Sequence, residues 1–148
     1  MKQILPLLLL LLLPVITQAR LGDNIGTCVH RYGDPVSTGE PDAPVVFRKD
    51  GLKIVAFFNA NGVVDAIVYS KIDPESNLTG TDAELLTSLN LGTRIRRVES
   101  IDGPRWQTAD QTAIATFDAT TGILQVYTAT GHKRLEEFTR DIQSGDAS

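Results

Sequence analysis

The sequence predicts an α+β fold. It is a largely antiparallel β-sheet of about six strands from two helix-β-β-β units, with helices packed on one face and a short C-terminal helix. Three observations predict it. Two helical stretches stop at glycines, Gly33 and Gly92. Two pairs of apolar extended runs flank the hairpin loops Ala60-Asn61-Gly62 and Ala119-Thr120-Thr121-Gly122. Landmarks also recur at one spacing (92 − 33 = 59): Gly33 with Gly92, Phe47 with Trp106, and Phe58 with Phe117.

The elements follow in order. Ile25, Cys28, Val29 and Tyr32 recur at helical spacing, Asp23 can cap the first turn, and Gly33 before Asp34-Pro35 ends the helix. A polar loop runs to Pro44. Extended runs cover Val45 to Arg48, Leu52 to Asn59 and Val63 to Ser70. With Asn59 opposite Val63, the hairpin gathers Leu52, Ile54, Ala56, Phe58, Val64, Ala66 and Val68 on one wholly apolar face, the expected core face. Thr81-Asp82-Ala83-Glu84 reads as a capping box that opens a helix with the stripe Leu85, Leu86, Leu89. The stretch from Thr93 to Val98 reads as basic and irregular, with a turn at Ile101 to Gly103. Extended runs at Arg105 to Thr108, Thr112 to Asp118 and Ile123 to Thr128 complete the second unit, with Ala113, Ala115, Phe117, Leu124 and Val126 as its core face. Leu135, Phe138 and Ile142 mark the closing helix, and residues 143–148 are expected to fray.

The domain plan has a signal peptide at 1–19, pseudo-repeat units at 21–79 and 80–130, and a C-terminal helix at 132–142. Lys2 precedes the leucine run Leu7 to Leu13, and Thr17-Gln18-Ala19 supplies small residues for cleavage. That run is too short to span a bilayer comfortably, and no later segment approaches it. The chain is therefore expected to be exported, periplasmic or extracellular, with no transmembrane segment in its mature part. At 148 residues, 22% charged and net charge −4, it is one domain, neither a multidomain enzyme nor a DNA-packaging protein. Cys28 is the only cysteine, so no intrachain disulfide forms. It reads as a buried helical thiol, with lipidation as the alternative.

The opening Leu21-Gly22-Asp23 through Arg31-Tyr32-Gly33-Asp34-Pro35 resembles the first helix and hydrophobic-Gly-x-Pro stop of small exported bacterial domains. It is similar to the SmpA/OmlA outer-membrane assembly lipoproteins and to the tandem-repeat β-lactamase inhibitor protein, whose doubled order is closer. Exported proteins with an Arg-Tyr-Gly-x-Pro opening share it too. The resemblance implies a non-catalytic envelope module whose sheet face grips a protein partner. Two features depart from it: Cys28 alone cannot supply the inhibitor's disulfides, and the lipoproteins' lipobox is missing.

The chemistry-bearing residues form no catalytic constellation. Cys28 and His30 are two apart on a helix and so face apart, and His132 follows Gly131 in a polar turn. No phosphate-binding glycine loop, nucleophile elbow or zinc-binding histidine pair occurs. No cofactor, metal or catalytic residue is expected. Arg94, Arg96 and Arg97, with Arg105 and Trp106 nearby, read as an anion or nucleic-acid contact or as a solvated, aggregation-resistant edge. The acid balance favours the edge, and no nucleic-acid partner is expected. Trp106 is an interface anchor or a core residue, and Asn77-Leu78-Thr79 fits a glycosylation acceptor.

The face opposite the core carries the partner-binding candidates Val55, Phe57, Ile67, Tyr69, Ile114 and Tyr127. The C-terminal helix or long loops are the alternative cover for it. The expected function is an exported, non-catalytic protein-interaction or envelope-assembly module, not an enzyme, with a protein partner in the cell envelope. The alternatives are a binder of a small apolar ligand, or a small hydrolase using His30 or His132.

Overall fold

The computed structural model describes residues 20–37, 40 and 42–144, with side chains described to residue 140. The expected export signal lies outside the described residues. In chain order the elements are α1 (Ile25–Tyr32), β1 (Val45–Lys49), β2 (Leu52–Phe58), β3 (Val64–Lys71), α2 (Gly80–Leu91), β4 (Ile95–Ser100), β5 (Gly103–Thr108), β6 (Ala113–Asp118), β7 (Ile123–Thr128) and α3 (Ala129–Ser144). The fold is α+β, and every strand pairing is antiparallel.

The strands form one seven-stranded sheet in the order β1-β2-β3-β7-β6-β5-β4. The strand beyond six is β4, in the stretch that reads as irregular. Its arginines hide the alternation, because an edge strand exposed on both faces has only Ile95 to pack on the core. Strands β3 and β7, the last of each unit, pair at the centre. Ala56 faces Ile67 in one hairpin and Ala115 faces Val126 in the other, both 59 positions on, whereas Phe58 faces Val64 and Phe117 faces Leu124, 60 positions beyond Val64.

The two unit helices end alike. Gly33 sits at φ 85° and Gly92 at φ 82°, left-handed values that favour glycine, and each amide bonds the carbonyl four residues back. Their starts differ from the sequence reading. Asn24, not Asp23, caps α1 by accepting from the Thr27 amide at 2.9 Å, while Asp23 pairs with Arg31 at 2.8 Å. The capping box of α2 lies two residues earlier, at Thr79 and Asp82. Asp82 N donates to Thr79 Oγ1 at 3.1 Å, and Thr79 N donates to Asp82 Oδ2 at 2.9 Å.

α1 and α2 cover one sheet face. Cys28, Tyr32, Ala83 and Leu86 pack there on Phe47, Ile54, Trp106, Phe117 and Leu124. Trp106 is thus a core residue, and the core face expected of the second unit is buried throughout. At the centre, the Tyr69 hydroxyl lies 3.1 Å from that of Tyr32 and accepts from Asn90 Nδ2 at 2.9 Å. These bonds tie both helices to β3.

The opposite face carries a second cluster of Phe57, Ala66, Tyr127 and Leu135, under α3. α3 is longer than expected, beginning at Ala129 and continuing through Ser144, so the fraying expected from residue 143 does not begin there.

Candidate functional site

The six partner-binding candidates divide between the two faces. Ile67 and Tyr69 are 0% and 1% exposed and lie in the core beneath α1 and α2. The expected hairpin register holds at Phe58 opposite Val64. Then Phe57 pairs with Ala66, which leaves Asp65 as an extra, unpaired residue. This β-bulge reverses the alternation of β3. Ala66 and Val68, expected in the core, go to the α3 face instead.

Phe57 and Tyr127 are on the expected face but buried by α3. Phe57 meets Phe138 edge to face at 5.3 Å, and Tyr127 stacks on His132 at 4.6 Å. Val55 and Ile114 are half-buried at the margins of this cluster. α3 therefore covers the middle of the face that the sequence leaves open.

Three features hold α3 there. Arg134 Nη2 donates to Asp65 Oδ2 at 3.0 Å. Leu135 enters the cluster. Gly131 passes so close to the bulge that a Cβ on it would lie 1.9 Å from the Asp65 carbonyl oxygen.

Beside α3, the sheet face over β5, β6 and β7 stays open as a groove of about 760 Å³. A cross-strand row supplies its floor: Arg105 pairs with Thr116, and Thr116 with Gln125. Thr139 of α3 forms one wall, and Asp102 and Asp118 stand at the end near the turns. A second hollow of about 350 Å³ shares Gln125 and Thr139 and extends along α3 past His132, Glu136 and Arg140.

Arg105 is the chemically distinctive group in this groove. It is half-buried, and its Nε is buried without a hydrogen-bond partner among the described residues. Arg31, Arg97 and Arg134 all have carboxylate partners. Asp118 is satisfied locally, accepting from the amides of Thr120 and Thr121. The Thr121 and Thr120 bonds hold its carboxyl below the usual range, so it stays anionic.

Elsewhere the reactive side chains stand apart. Cys28 is fully buried, and burial, reinforced by Asp23, pushes its thiol up to about 11, away from nucleophilic use. Burial also raises Tyr32 and Tyr69. His30 is on α1 and His132 on α3, on opposite faces of the sheet. Among the described residues, no group of three or more His, Cys, Asp or Glu side chains is placed to hold a metal. No helix among them is long and apolar enough to cross a membrane. Arg96 projects from β4 toward the α3 face, whereas Arg97 lies over Trp106 at 5.7 Å and pairs with Glu99. Asn77 is exposed, with Leu78 buried beside it.

No known protein family matches the chain, and no curated protein matches it. Solved structures show distant likeness. A DUF4309 family protein (YjgB) from Bacillus subtilis is 13% identical with a TM-score of 0.42, over 72% of this chain and 78% of that one. A cysteine-rich secretory protein (SAV1118) from Staphylococcus aureus is 8% identical with a TM-score of 0.39, over 74% of this chain and 45% of the other.

Proposed function

We propose that the chain is an exported, non-catalytic interaction module that grips a protein partner with the open part of its α3-side sheet face. The Arg105 guanidinium carries this reading. It is a half-buried cation on the floor of an open groove, with no carboxylate partner among the described residues and its Nε buried. A cation without a carboxylate partner gains from a partner that supplies an acceptor to its guanidinium, because hydrogen bonds to an ionised group are the strong ones. Val98, Thr116, Gln125 and Ile123 give the surrounding surface the mixed polar and apolar character of a protein interface. Ile114 on β6 extends that surface beside α3, whereas Val55 on β2 lies across α3 from it. The resemblance to envelope-assembly lipoproteins and to the β-lactamase inhibitor protein points to the same kind of use.

A photocrosslinking residue at Thr116, in the native host, tests the reading. The expected result is one protein, identified by mass spectrometry, captured from Thr116 and not from Glu84 on α2. Equal capture from both positions, or none from Thr116, overturns it.

A further inference from the structure

We infer that the groove beside α3 recognises an acidic side chain, Glu or Asp, carried on an extended segment of the partner, with Arg105 as the carboxylate-binding residue. This inference rests on the binding face proposed above.

Charge is the first support. The chain is acidic overall, at −4, yet the strand side chains on this half of the α3 face include two unpaired arginines. Arg105 faces Val98 across β4 and β5, and Arg96 faces Gln107, so the two are diagonal neighbours on one face. Diagonal neighbours stand about 7–8 Å apart, near enough for both to act on one anion. Neither has an ion-pair partner among the described residues, and among β4–β7 the carboxylate on this face is Asp118, diagonal to Arg105 beyond Thr116 and already bonded to the Thr120 and Thr121 amides.

Geometry is the second. An arginine offers a planar fork that suits a carboxylate, and Thr116 and Gln125 continue the row with further donors. Asp102 and Asp118 at the end of the groove oppose a doubly charged anion. They favour one carboxylate at the Arg105 end, with backbone N–H groups or a cation at theirs. This disfavours a phosphorylated ligand.

Length is the third. The two hollows join at Gln125 and Thr139 and follow α3 from His132 to Arg140. At about 1.5 Å per helical residue this spans about 12 Å. That accommodates about four residues of extended chain at ~3.3 Å each. A peptide segment fills such a trough.

The test uses the full folded chain labelled with nitrogen-15, where the Arg105 Nε–H is a direct spectroscopic reporter. The probes are the blocked pentapeptide acetyl-Thr-Val-Glu-Val-Thr-amide, its twin with Gln for Glu, and inorganic phosphate. The Glu peptide should shift the Arg105 Nε–H and the Gln125 side-chain amide saturably, and bind at least about tenfold more tightly than the Gln twin. Arg105→Lys should lose most of that discrimination while the remaining spectrum is unchanged. Equal binding of the twins overturns the inference, and so does a shift that bypasses Arg105 or tighter binding of phosphate at the same signals. A partner captured from Thr116 whose yield is unaffected by Arg105→Ala removes the carboxylate assignment and leaves the binding face standing. Loss of capture from Thr116 in the wild-type chain removes both.

Discussion

Replacing Gly131 with alanine sets two effects of opposite sign against each other. Gly131 lies in the first turn of α3. By helix propensity alone, alanine stabilises an interior position by about 1 kcal/mol over glycine. Contact says the reverse. The new Cβ would stand 1.9 Å from the Asp65 carbonyl oxygen, 2.5 Å from its carbon and 3.0 Å from Ala66 Cβ. Ordinary contact begins near 3.4 Å, so the turn must retreat by about 1.5 Å, and backbone on a central strand cannot yield like a side chain. That retreat stretches the 3.0 Å Arg134–Asp65 contact past bonding range and loosens Leu135 from its cluster. The lost pair leaves an almost fully buried carboxylate. Together with part of the burial of Leu135, the loss comes to about 3 kcal/mol, and about 2 remains after the propensity gain. Urea unfolding measures the sum, and amide exchange along α3 locates it. Gly131→Ala should lower the midpoint without changing the slope, with exchange quickening in α3 before α2. A variant as stable as wild type, or more stable, would refute the contact argument.

Three further outcomes are expected. Thr79→Ala should cost about 1 kcal/mol in urea unfolding, whereas Thr81→Ala should be nearly neutral, because the box that caps α2 is Thr79 with Asp82. The Cys28 thiol, near 9 when unfolded and about 11 when folded, contributes stability that is complete below pH 9 and fades as pH rises through 11. Denaturation followed between pH 8 and 11 should therefore show a decline on the order of 2 kcal/mol, reduced in Cys28→Ala. Tyr69→Phe removes the hydroxyl shared by Tyr32 and Asn90 and leaves Asn90 Nδ2 only the Leu86 carbonyl. It should cost about 1–3 kcal/mol by thermal or urea melt, with the fold retained by circular dichroism.

What the sequence carried legibly was local. The glycine stops at Gly33 and Gly92, the two hairpin loops and the alternation of the second unit each depend on residues a few positions apart, and each is present in the fold. What it hid depended on neighbours distant in the chain. β4 shows no apolar alternation because neither of its faces is covered along most of its length, so the arginines that read as an irregular stretch are those of an edge strand. In the sequence Arg105 stands only as an appendage to that basic cluster. Its separation from Arg97 appears only when the pleat sends one to the α3 face and the other over Trp106. The sequence pattern sets the α2 capping box two residues late because Thr79 and Thr81 both precede an acidic residue by three positions.

Asp65 accounts for the remaining departures, and for why they occur together. As the extra residue opposite Phe57 and Phe58, it turns Ile67 and Tyr69 inward and Ala66 and Val68 outward. The inward pair completes the core: Ile67 packs beneath the helices, and Tyr69 receives the bonds that hold α1 and α2 on the sheet. The outward pair puts Ala66, a small side chain, under the start of α3, where Gly131 comes closest. The same residue then anchors that helix, its carboxylate to Arg134 and its carbonyl to the Thr128 hydroxyl at 3.4 Å. Had the hairpin kept its regular register, Ile67 and Tyr69 would stand where α3 now lies. The unit helices would then meet Ala66 and Val68, too small to fill the space. One unpaired residue thus decides which side chains form the core, where the closing helix docks, and how much of the opposite face remains for a partner.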